Sequence, residues 1–301
     1  MSTTAQLMAD AKFYESYARY DDSLGRYETW EESVERVMAM HRLKYADKLD
    51  LALTLPQSSE PILSGDGSIT LNALIDYAQQ FYSDKYILGA QRALQFGGEQ
   101  LLSKHAKMYN CTASYCDRSA FFKEAFWLML CGCGIGFSVQ KQHIAKLPNI
   151  KPRTKQAKEF IVEDSIEGWA DAVGALVSSF FDEESEYAGR KIHFDTTNVR
   201  PKGSLISGGF KAPGPEPLDK ALKLIERLIK QELTNGATQL RSIVAYDIVM
   251  FIADAVIAGG VRRAATICLF SHDDYDMITA KTGAWYTDNP QRGRKILLRP
   301  L

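Results

Sequence analysis

Apolar and polar positions alternate along this chain mostly with a helical period. Behind Thr29 and Glu32, which have the residue types and spacing of a capping box, Trp30, Val34, Val37, Met38 and His41 recur on one face, so an amphipathic helix is predicted there. Residues 71–82 and 91–104 repeat that period, and residues 57–68, rich in Ser, Gly and Pro, read as a loop. Residues 1–27 carry Phe13, Tyr14, Tyr17 and Tyr20 among charges, with no clear period beyond a short helix. The first hundred residues are therefore read as mostly helical.

The pattern changes at residues 109–139, YNCTASYCDRSAFFKEAFWLMLCGCGIGFSV, which hold four of the five cysteines. Residues 121–130 are apolar almost all round, as a helix buried against other protein is. Gly132, Gly134 and Gly136 then read as a sharp turn leading into a strand over 137–139. The order is strand, helix, glycine turn, strand, with the Cys111 thiol near the end of the first strand. Thiols beside backbone that a ligand can approach closely point to chemistry; a single buried cysteine is more often a small hydrophobe.

Beyond it, residues 148–158 read as a basic, proline-containing connection. Asp164 and Glu167 have capping-box spacing before a helix whose apolar face is Trp169, Ala172, Val173, Leu176, Val177, Phe180 and Phe181. Residues 191–199 read as a strand that delivers the chain into 200–218, where glycine and proline exclude regular structure. With Arg200, Lys202 and Lys211 this segment is either an anion-binding loop or a plain surface connection. Pro217 suits the first turn of the next helix, which ends before Asn235 and Gly236. A further buried helix stops at Gly259 and Gly260, and Arg262 and Arg263 lead into a strand over 266–270. Two cations beside a double glycine either bind phosphate or are simply solvated. Strands alternating with helices predict a largely parallel α/β sheet or barrel.

Composition narrows the function classes. Of 301 residues, 46% are hydrophobic and 24% charged, the balance of a globular protein with a sizeable core. Lys+Arg of 36 against Asp+Glu of 37 leaves a formal charge of -1, which gives no global electrostatic case for nucleic acid or membrane as a partner. No apolar run has membrane-span length and the N-terminus lacks signal-peptide character, so the cytoplasm is the expected compartment. Five cysteines, odd and sparse, argue for reduced thiols and against a secreted disulfide scaffold. Cys131 and Cys133 form a C-x-C with no second Cys/His pair at ligand spacing, so no metal is assigned.

Taken together, the ordered segments resemble the large, catalytic chain of ribonucleotide reductase, and more closely its adenosylcobalamin-dependent class II branch. They are GRYETWEESVERV at 25–37, RALQFGG at 92–98, YNC at 109–111, GCGIGFSV at 132–139, VRPKGSLISGG at 199–209, APGPEPL at 212–218, AGGVRRAA at 258–265 and NPQRGR at 289–294. The resemblance implies an α/β fold: a helical N-terminal region over 1–104, then the first half of a ten-stranded α/β barrel over 105–294, with a divergent tail at 295–301. It implies reduction of ribonucleotides, diphosphate or triphosphate, to 2′-deoxyribonucleotides by thiyl-radical chemistry with adenosylcobalamin. Cys111 matches one cysteine of the redox-active pair, restored by a thioredoxin-like reductant. Arg200, Lys202, Gly203, Ser204, Gly208 and Gly209 match the first specificity loop. Gly259, Gly260, Arg262 and Arg263 match the second, which reads a dNTP or ATP effector, and Asp117 stands near where the family places an aspartate on the effector sugar.

The resemblance stops at Arg294, so the radical cysteine, the partner of Cys111 and most of the cobalamin site are expected on a C-terminal half-barrel chain. The expectation is one part of a split reductase, inactive alone. The alternative is a non-catalytic nucleotide-binding or regulatory remnant, and a third reading is a truncated product without a stable fold.

Overall fold

The computed structural model describes residues 3–54, 68–206, 210–257, 265–293 and 296–298. The chain divides into two compact units, Met1–Tyr109 and Asn110–Leu301.

The first unit contains α1 (Thr3–Ser16), the short antiparallel ladder β1 (Tyr20–Asp21) with β2 (Arg26–Tyr27), α2 (Trp30–Lys44), a second ladder of β3 (Ala52–Thr54) with β4 (Ser68–Thr70), α3 (Leu71–Ser83), α4 (Gln91–Phe96) and α5 (Glu99–Ser103). The α2 capping box forms as read. Thr29 Oγ1 accepts from the Glu32 N–H at 3.3 Å and Glu32 Oε2 accepts from the Thr29 N–H at 2.8 Å. Val34, Val37 and Met38 of α2 bury against Ile75 and Tyr82 of α3 and against Leu94 and Leu101. The single helix expected over 91–104 is two short ones. Gly98 takes φ +95°, and a Cβ at Gly97 would lie 2.4 Å from the Ala93 carbonyl oxygen, so the backbone turns where side chains would forbid it. Both ladders were missed, because strands of two or three residues are too short for an alternation to register. Most of the loop read over 57–68 lies outside the described residues.

In the second unit come β5 (Cys111–Tyr115), α6 (Ala120–Leu130), β6 (Gly134–Ser138), α7 (Lys141–Ile144), β7 (Lys155–Ile161), α8 (Ile166–Ser178) and β8 (Arg190–Asp195). They are followed by β9 (Leu205–Ile206), β10 (Phe210–Lys211), α9 (Glu216–Thr234), α10 (Ser242–Ile257), β11 (Thr266–Leu269), α11 (Tyr275–Ile278), α12 (Trp285–Asp288) and β12 (Ile296–Leu298). A four-stranded parallel sheet runs in the order β12-β11-β6-β5, and β7 pairs with β8 in a separate parallel ladder. The fold is thus mixed α/β with parallel sheets. No closed barrel forms among the described residues: β7 and β8 pair with each other in a separate ladder and do not join the four-stranded sheet.

One face of that sheet is covered. Ile135, Phe137 and Cys268 share a core with Phe121, Phe122 and Phe126 of α6, and with Tyr246 and Val249 of α10. Removing a side chain such as Phe126 costs about 3–5 kcal/mol. On the other face, among the described residues, Cys111, Ala113 and Tyr115 are exposed on β5, as is Leu269 on β11, while Ser138 is buried.

Three local readings are corrected. Strand β7 takes up the last four residues of the supposed connection 148–158 and continues to Ile161, hidden by the charges of KQAKEFI, whose side chains are largely exposed. The N-cap of α8 is Ser165, whose side chain accepts from the Gly168 N–H at 2.9 Å. Asp164 instead pairs with Arg200, and Glu167 accepts from Trp127 Nε1 at 3.1 Å. Residues 200–218 are not wholly irregular: β9 and β10 form an antiparallel hairpin, extended by Gly203 N–H to Ala212 O at 2.9 Å and Ala212 N–H to Ser204 O at 2.7 Å. Pro217 lies in the first turn of α9 as read.

Candidate functional site

Cys111 is the first residue of β5, not near its end, and it is exposed, while Cys116, Cys131, Cys133 and Cys268 are buried. Its register partner on β6 is Gly134, whose N–H donates to the Asn110 carbonyl at 2.8 Å. Gly132 takes φ +91° and makes the turn after α6, whereas Gly134 and Gly136 lie within β6. The three glycines therefore divide their labour: one turns the chain, and two leave a strand without side chains.

The bare strand matters at Gly134. A Cβ built there would lie 3.5 Å from Cys111 Sγ and 3.5 Å from the Ala265 carbonyl oxygen. That carbonyl accepts from the Ile135 N–H at 2.9 Å, so Ala265, the last residue of the expected second loop, stands at the same end of the sheet as Cys111, across β6 from it. Parallel register puts Cys111, Ala113 and Tyr115 on one face with Gly134, Gly136 and Ser138. The result is an exposed thiol at one end of a shallow floor of small residues, with Tyr115 about 13 Å along the strand.

At that far end Tyr115 lies over His143, ring centroids 4.5 Å apart, and His143 Nδ1 is 2.8 Å from Ser138 Oγ. Sequence reasoning missed this group.

The other thiols have different surroundings. Burial drives the Cys116 thiol well above its ordinary pKa, with Cys268 adding to the shift, and burial likewise raises Cys268. Both stay protonated, which makes them poor nucleophiles.

Asp117 follows β5 and pairs with Arg118 at 2.7 Å; it neither caps α6 nor stands in its first turn. Arg200 Nε donates to Asp164 Oδ2 at 2.6 Å, Lys202 is exposed, Gly203 takes φ +92°, and Ser204 Oγ donates to the Pro201 carbonyl at 2.8 Å. No hydrogen bond or ion pair among the described residues joins Asp117 or residues 200–204 to Cys111. Gly208, Gly209, Gly259, Gly260, Arg262 and Arg263 lie outside the described residues.

Sequence reasoning also missed the anchor of the last described helical turns. Asp247, buried in α10, accepts from Arg292 Nε at 2.7 Å and also pairs with Arg292 Nη2. An acid five residues into the apolar run of α10 was the available signal, since a buried carboxylate requires a partner.

The adenosylcobalamin-dependent ribonucleoside-triphosphate reductase of Lactobacillus delbrueckii subsp. bulgaricus is 27% identical over 316 residues, covering 88% of this chain and 41% of that protein. The reductase of the same name from Lacticaseibacillus paracasei is 32% identical over 184 residues, 50% of this chain and 24% of that protein. The chain resembles class II ribonucleotide reductase. A solved structure of a B12-dependent class II ribonucleotide reductase superposes with a TM-score of 0.72 at 22% identity, covering 97% of this chain and 45% of that chain, so the fold is shared. This chain thus spans about two fifths of the length of the curated relatives it matches, 41% for the first. No family model matches it. Among the described residues, no helix is long and apolar enough to cross a membrane.

Proposed function

We propose that this chain is the N-terminal portion of an adenosylcobalamin-dependent ribonucleotide reductase, and that Cys111 is one thiol of the pair that reduces the substrate. The observation that carries this reading is the exposed Cys111 thiol at the sheet edge, beside a glycine that leaves room for a ligand. Two thiols together give two electrons and two protons: the ribose 2′-hydroxyl leaves as water, hydrogen takes its place, and the sulfurs join as a disulfide that a thioredoxin-like reductant reopens. The buried thiols do not serve as the second member, so the partner of Cys111 comes from the remainder of the reductase fold. That remainder belongs to the same polypeptide or to a second chain.

Adenosylcobalamin supplies radical initiation when bound. An open face does not enclose a corrin, and the two surface clefts described, one beside Arg42 and Asp76 and one beside Lys141 and Arg241, do not include Cys111. The described residues therefore do not hold the cofactor by themselves, and the rest of the fold supplies most of its site. The hairpin after Arg200 and the segment from Gly259 to Ala265 act as specificity loops. An effector dNTP or ATP adjusts the substrate pocket through Ala265, which already stands beside Gly134. Asp117 is assigned to the effector sugar. Reduced thiols fit the cytoplasm.

The test is conversion of labelled ribonucleotide to deoxyribonucleotide with adenosylcobalamin and dithiothreitol, by this chain alone and with the complementary C-terminal portion. Activity in the combination, lost in Cys111→Ser when a thioredoxin-like reductant drives turnover, supports the reading. Inactivity of the folded combination refutes it, and dNTP binding without activity would mark a regulatory remnant.

A further inference from the structure

Arg19 in the first unit sits where its charge is poorly answered. Among the described residues, the carboxylate that acts on it is Glu28, and Glu28 is committed elsewhere. Its Oε1 accepts from Arg36 Nε at 2.7 Å, and its Oε2 accepts from Arg36 Nη2 at 2.8 Å, from Ser33 Oγ at 2.9 Å and from the Arg19 backbone N–H at 3.3 Å. Arg36 is locked further by the Leu94 and Gly97 carbonyls at 2.9 and 3.2 Å. Among the described residues Arg19 has one side-chain hydrogen bond, from Nη2 to the Gln95 carbonyl at 3.4 Å, long for such a contact.

Two guanidinium groups thus share one carboxylate in a half-buried place. Burial, then repulsion from Arg36, lowers the Arg19 pKa to about 10, and Glu28 offsets this only in part. The remaining Arg19 N–H groups face a backbone turn that presents no side chain. At Gly98, a Cβ would find Arg19 Nη1 at 3.8 Å and Arg36 Cγ at 3.9 Å as its nearest neighbours, and nothing closer. Two more cations are held on the preceding residue, where Arg92 and Lys107 lie 5.6 and 5.7 Å from the Phe96 ring centroid. Glu99, the residue after the turn, is exposed.

We propose that Arg19, backed by Arg36, binds a phosphate-type oxyanion at the Gly97–Gly98 turn. A guanidinium offers paired N–H donors that match two oxygens of such a group, and the absent side chain at Gly98 lets it approach. The same chemistry is carried by inorganic phosphates and by the phosphates of nucleotides. The site lies wholly within the first unit and stands independently of the reductase reading.

The experiment titrates the full chain with inorganic pyrophosphate, and separately with ATP, while the amide resonances of Arg19, Gln95, Gly97 and Gly98 are followed by NMR. Shifts at those amides, weakened about tenfold or more in Arg19→Gln, partly retained in Arg19→Lys and unchanged in Arg26→Gln, are expected whatever ATP does at the second unit. Tighter binding of ATP than of pyrophosphate at these amides would identify a nucleotide as the source; equal binding would identify the phosphate group alone. Unmoved resonances, or equal binding by Arg19→Gln, would overturn the site. Melting in phosphate-free buffer separates the structural explanation: Arg19→Gln should melt at or above the wild-type temperature because a repulsion is relieved. A lower melting temperature would make Arg19 a structural group and defeat the proposal.

Discussion

Cys111 and Gly134 are register partners at the edge of the parallel sheet, and the space over the Cys111 sulfur exists because Gly134 has no side chain. A Cβ at Gly134 makes only ordinary contacts, 3.5 Å from Cys111 Sγ and from Ala265 O, so Gly134→Ala should fold with less than about 1 kcal/mol change in stability. It should nevertheless slow alkylation of Cys111, and Gly134→Val should slow it more. Gly136→Ala is different, because its Cβ would press Ile267 Cγ2 at 3.3 Å inside the sheet. A loss of about 1 kcal/mol or more is expected there, with alkylation unchanged; urea unfolding and iodoacetamide kinetics measure both.

Exposure should sort the five thiols. Under native conditions, mass spectrometry after brief iodoacetamide treatment should find Cys111 modified and Cys116, Cys131, Cys133 and Cys268 protected until the protein unfolds. Early labelling of Cys268 would contradict its burial under the α10 helix.

Stability should fall on the alkaline side. Cys116 and Cys268 have folded pKa values raised above the ordinary 9.0 by burial, so in the folded protein they keep protons that the unfolded chain releases. Their contribution is fully present below pH 9.0 and is lost as pH rises toward the folded values. The slope is about 1.4 kcal/mol per pH unit for each thiol. Urea midpoints measured from pH 8 upward should therefore decline less steeply in Cys116→Ala and Cys268→Ala than in the wild type.

Asp247 and Arg292 tie the turn at 290–292 to helix α10. Arg292→Met leaves a buried carboxylate without its cation and should cost about 3–5 kcal/mol in urea unfolding. Asp247→Leu combined with Arg292→Met should cost less than either single change, since the apolar pair leaves no uncompensated charge. Additive losses would show that the two residues act separately.

Much of the helical framework was legible because a period of 3.6 needs only a dozen residues to declare itself. The α2 capping box, the buried α6 and α10, and the stop at Asn235 followed from residue types and spacing. Strand β7 was not legible: its exposed charged side chains hide a ladder whose pairing with β8 is made by backbone atoms. The division of residues 91–103 into two helices was written in Gly97 and Gly98 but masked by the continuous apolar pattern around them.

The chemistry divides the same way. Residue types and their order are enough to show that thiols and glycines cluster within one segment, that the charge is balanced, and that the ordered segments resemble class II ribonucleotide reductase. Only the tertiary structure decided which thiol is exposed, that Gly134 and not Gly132 borders it, and that Asp247 meets Arg292 across 45 positions. Local pattern records what each residue prefers near its neighbours in the chain. Strand register and helix packing choose among residues far apart, and those choices set burial, pairing and reactivity.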